Sequence, residues 1–433
     1  MSASPIRLGL AGFGTVGQGL VSILTDSADW IERRLGRKVV VSAMAVRDPS
    51  KPRDTPVPAG ARLVASPLEL ATAADVDIVV ELMGGLSMAG QLIRAAIAAG
   101  KHVVTANKHL LAEQGAELFA LAAKAGVGLY YEASVCGGIP IVQTLKESLA
   151  GNRILGVTGI LNGTSNYILS RMSSRGLSYE AALKKAQKKG FAEADPTFDV
   201  GGLDAAHKLV LLIRLAYGVD YPLSALPVTG ITGVTPLDIA YAKTFGCQIK
   251  LIGQAKMVDG RIMAGMHPML LSDAYLLAQV HGAFNAVRVV GDAVGAVMLY
   301  GQGAGGRPTG SAVLADIMAL ARDGATPNNT GFPEKALPPA SILDPEEVSS
   351  RRYFRFTVED KPGVLAALAQ VMGEEDISIY QVLQKVDPSA ADESVVPIVF
   401  MTHHAKQKNV DAALAHIREF PFVKAEPVHL RVL

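Results

Sequence analysis

Five charged residues crowd one stretch of this chain, GFAEADPTFDVGGLDAAHK from Gly190 to Lys208. Glu193, Asp195 and Asp199 read as a loop, and Asp204 and Lys208 open the apolar run LVLLIRLAY. Charged residues make up only 19% of the chain, so such a cluster ahead of an apolar helix needs a reason. Asp204 and Lys208 are four apart and therefore share one helix face. A lysine beside an aspartate on a buried helix is both desolvated and paired, and both conditions tune it for proton transfer. An exposed pair at this spacing would contribute only about 0.3–0.5 kcal/mol. His207 is expected to point elsewhere and to be an ordinary helix residue. No His, Cys or acid set along the chain has zinc-ligand spacing.

Two further segments offer chemistry. Thr105-Ala106-Asn107-Lys108 follows a strand end, where ligands of parallel sheets bind. Lys108 there can reach a carboxylate or a reacting oxygen; the alternative is a plain surface lysine. Asn162-Gly163-Thr164 follows a strand and opens a helix, so its N–H groups can hold a carboxylate. Simple capping by Thr164 or Ser165 is the competing reading.

Gly12, Gly14 and Gly17 form GxGxxG directly after the strand Ile6 to Leu10 and at the start of a helix. That context suits a dinucleotide: Gly12 for the tight turn, Gly14 for close approach of a pyrophosphate, Gly17 for helix–strand packing. Phe13, Thr15 and Val16 complete the loop. The second strand ends Ala45-Val46-Arg47 rather than in an acid. Arg47, with Lys51 and Arg53 near it, suits a 2′-phosphate and hence NADP. Asp48 can still serve a ribose, so NAD stays open.

The elements that must position these residues change style along the chain. Apolar strands alternate with helices to about Glu132, which means a parallel sheet covered on both faces. The helix Thr309 to Leu320 is expected to return to this first domain. Residues 1–132, completed by about 303–325, therefore form a dinucleotide-binding domain. Residues 133–302 read as a second, α+β domain with an antiparallel sheet, including hairpins at Asp259-Gly260 and Gly291-Asp292. Its apolar face would be a subunit interface or be covered by its own helices. A Pro-, Asn- and Gly-rich linker spans 326–349. Residues 350–433 read as a ferredoxin-like unit.

Composition narrows the function class. Lys and Arg number 41 against 40 Asp and Glu, which argues against a nucleic-acid or membrane-surface partner. No stretch reads as a membrane span. Two cysteines, Cys136 and Cys247, point to a reducing compartment, and the start lacks a signal-peptide pattern, so a cytoplasmic location is expected.

The motifs resemble those of the homoserine dehydrogenase family over essentially the whole length. They are GFGTVG (12–17), TANK (105–108), YEASVCGGIP (131–140), GILNGTSNYIL (159–169), the 190–208 stretch and GAGGRPTGSAVLAD (303–316). EDKPGVLAAL (359–368) resembles the start of an ACT domain. The resemblance implies a Rossmann-like α/β nucleotide domain, an α+β catalytic and dimerisation domain, and a C-terminal ferredoxin-like ACT domain. It implies reversible reduction of L-aspartate 4-semialdehyde to L-homoserine with NADPH or NADH, on the branch leading to threonine, methionine and isoleucine. Lys208, supported by Asp204, then delivers a proton to the developing alkoxide, and Lys108 orients the substrate, although sequence alone does not decide between the lysines. Glu193 and Asp199 hold the substrate ammonium and hydroxyl, near Asp195, Asn162, Gly163 and Thr164. Thr105, Gly305 and Thr309 border the nicotinamide. A structural, sodium-like monovalent cation uses Glu132, Val135, Gly137 and Ile139. In the ACT unit, Asp360, Gly363, Val364, Leu365 and Ser378 form the regulatory site, with threonine as feedback ligand. Ser378 stands where the usual Asn would be. The expected assembly is a homodimer or homotetramer. Rival readings are another amino-acid or semialdehyde dehydrogenase on the same scaffold, or a non-enzymatic dinucleotide-binding amino-acid sensor. A thiol-dependent semialdehyde dehydrogenase would need a catalytic Cys, and Cys136 lies in the cation-like motif instead.

Overall fold

The computed structural model describes residues 4–324, 327–333, 336–384 and 394–433. Thr326, Glu334 and Lys335 of the expected linker lie outside the described residues. The chain divides into two compact units: one holds residues 1–163, 204–226 and 283–340, the other residues 164–203, 227–282 and 341–433.

The first unit is built on a six-stranded parallel sheet. Its strands are β1 (Ile6–Ala11), β2 (Val39–Ala45), β3 (Arg62–Val64), β4 (Ile78–Glu81), β5 (His102–Thr105) and β6 (Leu129–Tyr130), in the order β3-β2-β1-β4-β5-β6. This is the Rossmann order, and it reverses between β1 and β4. The strands read as nearly continuous apolar runs because helices cover both faces. Leu8, Leu10, Leu20, Val80, Val313 and Ile317 are fully buried together. β3 has only three residues, too few to show a period, and the sequence reading missed it.

The helix Gly306–Asp323 packs against the helix Thr15–Asp26 that follows the glycine loop. Glycine makes this approach possible, since a Cβ on Gly19 would lie 2.0 Å from the Gly306 carbonyl oxygen. The same unit contains the helix Lys108–Ala125, the largely buried helix Leu203–Tyr217, and three antiparallel strands, Ile154–Ile160, Phe284–Gly291 and Gly295–Gln302. Gly291 pairs with Gly295, so the turn is Asp292 to Val294 rather than Gly291-Asp292. Ala293 sits in that turn. Gly295 takes the positive φ (74°) that closes it.

The second unit contains the long hairpin Cys247–Val258 and Arg261–Ser272. Its turn residues Asp259 and Gly260 both have positive φ, 47° and 75°, as a type I′ hairpin requires. The tail folds as β-α-β-β-α-β: Ser349–Glu359, Val364–Glu374, Ile379–Gln384, Val395–Thr402, Gln407–Arg418 and Val428–Val432. This is the ferredoxin-like, ACT-type arrangement. Phe354, Phe356, Leu368, Phe400, Val410 and Leu414 form its core. The last strand also pairs in parallel with Arg261–Ser272, which ties the tail into this unit. Among the described residues no helix is long and apolar enough to cross a membrane.

Candidate active site

The helix Leu203–Tyr217 starts with Asp204 and Lys208 on one face, and both side chains are buried. Lys208 Nζ donates to Asp204 Oδ2 at 2.7 Å and to the Leu161 carbonyl at 2.7 Å. Asn162 Nδ2 donates to the same Oδ2 at 2.8 Å. Lys108, from the start of its own helix, reaches the other oxygen, Oδ1, at 3.0 Å. One carboxylate thus bridges two ammonium groups. Burial alone would push the Asp204 carboxyl up. The charges of Lys208 and Lys108, with the hydrogen bonds from Lys208 and Asn162, outweigh it and hold the group well below the usual carboxylate range. The Asp204 carboxylate is thus the anion at the centre of the cluster, paired with both lysine side chains. The Lys108 side chain is 32% exposed and that of Lys208 9%, so the two differ in access to solvent.

The Thr105–Lys108 turn is braced by Glu81, a residue the sequence reading did not single out. Glu81 is fully buried at the end of β4, beside Thr105 at the end of β5. It accepts from Thr105 Oγ1 at 2.6 Å and from the Met83 and Gly84 N–H groups. Thr105 Oγ1 in turn accepts from Asn107 N, and Asn107 caps the Lys108 helix by accepting from Leu110 N. The position of Lys108 thus follows from a hydrogen-bonded chain rooted in the parallel sheet.

At the nucleotide loop, Gly12 has φ 100°, and a Cβ there would lie 2.7 Å from the Leu82 backbone. A Cβ on Gly17 would meet the Gly12 carbonyl at 2.6 Å. Nothing lies within 4 Å of the Cβ position of Gly14, which is the N-cap of the next helix and makes no side-chain cap. Helix N–H groups beside open space fit a pyrophosphate. Past β2, Arg47 is exposed. Arg53 is not a free phosphate ligand: its guanidinium lies 5.5 Å from the Phe13 ring centre and donates to the Asp48 and Lys51 carbonyls. The Asp48 carboxylate accepts from the Ser50 N–H and hydroxyl. Both bonds fall on Oδ1 and the side chain is exposed, so Asp48 can still serve a ribose.

Gly305, with φ 128°, is the N-cap of the Gly306–Asp323 helix, and Thr309 is buried on its first turn. Glu132 starts a short 3-10 turn; its carboxylate accepts from Val142 N and Gln143 N, and burial pushes it up to about 7. In the segment that follows, Val135 and Ile139 are buried, and Cys136 and Gly137 both have positive φ. A Cβ on Gly137 would lie 2.5 Å from the Gly303 carbonyl oxygen. Cys136 is fully buried and burial pushes its thiol up, the opposite of what a nucleophilic cysteine needs.

Glu193, Asp195, Asp199 and Thr164 belong to the second unit. Asp199 is not in a loop: it lies in the short helix Thr197–Val200, whose four residues are too few to show periodicity. Asp195 accepts from Thr197 N at that helix start. Thr164 Oγ1 donates to the Phe191 carbonyl at 2.6 Å, and Ser165 Oγ donates to the Asp199 carbonyl at 3.0 Å. The Gly163–Arg175 helix is thus stitched to the polar segment. In the tail, Gly363 has φ 91° and caps the Val364–Glu374 helix; Val364 is buried, Leu365 and Ser378 are exposed, and Asp360 N donates to Ser394 O.

One grouping departs from the sequence reading altogether. His207 stacks on His109, ring centres 4.8 Å apart and planes 18° apart. Glu113 joins them, with one donor atom from each residue within 4.8 Å of the others. Burial and the neighbouring His109 lower His207 to about 4. Spacing along the chain could not show this set, because its two histidines lie on helices distant in sequence.

The model of the homoserine dehydrogenase NAD binding domain matches residues 12–132, that of homoserine dehydrogenase residues 140–318, and that of the ACT domain residues 352–422. A homoserine dehydrogenase from Neisseria gonorrhoeae is 42% identical, the match covering 99% of this chain and 98% of the relative. The crystal structure of a homoserine dehydrogenase from Thiobacillus denitrificans has a TM-score of 0.93 at 41% identity, covering 100% of this chain and 99% of that one. A hyperthermophilic archaeal homoserine dehydrogenase in complex with NADPH gives 0.62 at 28% identity, covering 76% of this chain and 100% of that one.

Proposed function

The chain belongs to the homoserine dehydrogenase family and converts L-aspartate 4-semialdehyde to L-homoserine, and we propose that Lys208, charge-balanced by Asp204, is its proton donor. A bound nicotinamide supplies the hydride for the aldehyde carbon. As the carbon–oxygen π pair moves onto oxygen, the Lys208 ammonium gives that oxygen a proton and becomes a neutral amine, reprotonated from solvent. Asp204 keeps the lysine fixed and stabilises its charged form between turnovers. Lys108 orients the carbonyl and offsets developing negative charge. Glu193 and Asp199 hold the substrate ammonium, with Asp195 near them. Asn162, Gly163 and Thr164 take the carboxylate. The observation that carries this reading is the single buried carboxylate shared by Lys108 and Lys208.

The cofactor we favour is NADP, with Gly12 to Gly17, Thr105, Lys108, Gly305 and Thr309 around it. Exposed Arg47 beyond β2 supports this. A structural monovalent cation, sodium-like, is held by backbone oxygens of Glu132, Val135, Gly137 and Ile139, as suits a hard ion. The protein works in the cytoplasm as a homodimer or homotetramer. Threonine is the feedback ligand of the ACT unit, at Asp360, Gly363, Val364, Leu365 and Ser378. A cavity of about 460 Å³ beside Gly363 and Val364, lined also by Glu359, Lys361 and Phe422, supports that placement. The test is spectrophotometric: homoserine should drive reduction of NADP⁺ or NAD⁺, and no turnover with either would overturn the reading.

A further inference from the structure

His109 and Glu113 are four residues apart on the helix Lys108–Ala125, hence on one face. His207, on Leu203–Tyr217, brings a second imidazole to them, and the three donor atoms lie within 4.8 Å of one another. We propose that His109, Glu113 and His207 form a binding site for a divalent transition metal of the zinc class, seated between the two helices that carry Lys108 and Lys208.

The donor chemistry selects the ion. Two imidazoles and one carboxylate suit zinc or its first-row neighbours, whereas magnesium and calcium want oxygen alone. Three protein ligands leave a fourth position for water, as in open zinc sites. A tetrahedral ion with bonds of 2.0–2.1 Å keeps its donors roughly 3.4 Å apart, so the set must tighten by about an ångström. Exposed Glu113 can close part of that distance, and the two imidazoles, now stacked with their planes 18° apart, must turn so that their in-plane lone pairs meet at the ion. A dication here adds positive charge near both ammonium groups, since the charges of Lys108, Lys208 and Asp204 already act on His207. It repels them and competes for the one negative charge they share, on Asp204. Occupancy should therefore slow the enzyme.

The full-length protein is dialysed against 10 µM ZnCl₂ with 5 mM MgCl₂, and bound metal is measured by atomic emission. We expect one zinc per chain and no magnesium. Glu113→Gln, on the surface and outside the proton-handling cluster, should keep the zinc-free activity and bind zinc at least tenfold more weakly. The zinc concentration that half-inhibits homoserine oxidation should rise by the same factor. Cobalt(II) in place of zinc should give the visible bands of a four-coordinate N/O site, absent in Glu113→Gln. No zinc uptake by the wild type, or equal uptake by Glu113→Gln, would overturn the proposal, as would inhibition that Glu113→Gln leaves unmoved.

Discussion

Asp204 gives one carboxylate oxygen to each of two lysines: Oδ1 to Lys108 Nζ at 3.0 Å and Oδ2 to Lys208 Nζ at 2.7 Å. The arrangement makes Lys208 position-stable but leaves its charge dependent on a single anion. Replacing Asp204 by Asn preserves shape and removes that anion. The expected result for Asp204→Asn is a fall in kcat of at least tenfold, with a loss of stability of about 3 kcal/mol from the uncompensated buried ammonium. Steady-state kinetics and urea unfolding measure the two effects. Unchanged values in both would mean that the bridge is incidental.

Arg47 is exposed just past β2, whereas Arg53 is fixed over Phe13. Arg47→Ala should raise KM for NADP⁺ about tenfold, the loss of one charge-assisted contact of roughly 1.5 kcal/mol. KM for NAD⁺ should stay within about twofold. Equal changes for both cofactors would remove Arg47 from the 2′-phosphate.

His267 sets an acid limit on stability. Burial, then the positive charges of Arg431, Arg352 and His429, lower it from 6.5 to about 3. Below pH 6.5 the unfolded chain takes up a proton that the folded chain refuses. Its contribution to stability is therefore present above pH 6.5 and is lost as the pH falls toward 3. Between pH 6.5 and 5 this amounts to about 2 kcal/mol at roughly 1.4 kcal/mol per unit. Urea unfolding of the wild type should show that loss, and His267→Asn should flatten it by a comparable amount. An identical slope in the variant would show that His267 does not govern it.

Truncating the tail is a poor test of regulation, because Val428–Val432 pairs with Arg261–Ser272 and its removal bares a strand edge. A point change avoids this. Asp360→Ala should raise the threonine concentration for half-inhibition at least tenfold while uninhibited activity is kept. An unchanged threonine response would separate Asp360 from the effector site.

Much of the fold was legible because it depends on local rules. GxGxxG after a strand, the alternation of apolar strands with helices, and Asp259-Gly260 between apolar runs each carry their own geometry. Asp204 and Lys208 were readable as a pair because helical spacing puts residues four apart on one face. Their partners were not. Lys108 reaches Asp204 from another helix, Glu81 braces Thr105 from a neighbouring strand, and His109 meets His207 across two helices. No sequence period encodes such meetings; they follow from tertiary packing. The short helix at Asp199 and the three-residue β3 were missed for a simpler reason: neither is long enough to show a pattern.

Lys208 is the group proposed to exchange a proton with the substrate oxygen. The direct measurement is homoserine-dependent NADP⁺ reduction by wild type and Lys208→Ala, with cofactor affinity followed separately by fluorescence. The expected result is a fall in kcat of about 10²–10⁴ with NADP⁺ affinity within about threefold of the wild type. A Lys208→Ala enzyme with kcat within about threefold of the wild type would contradict it.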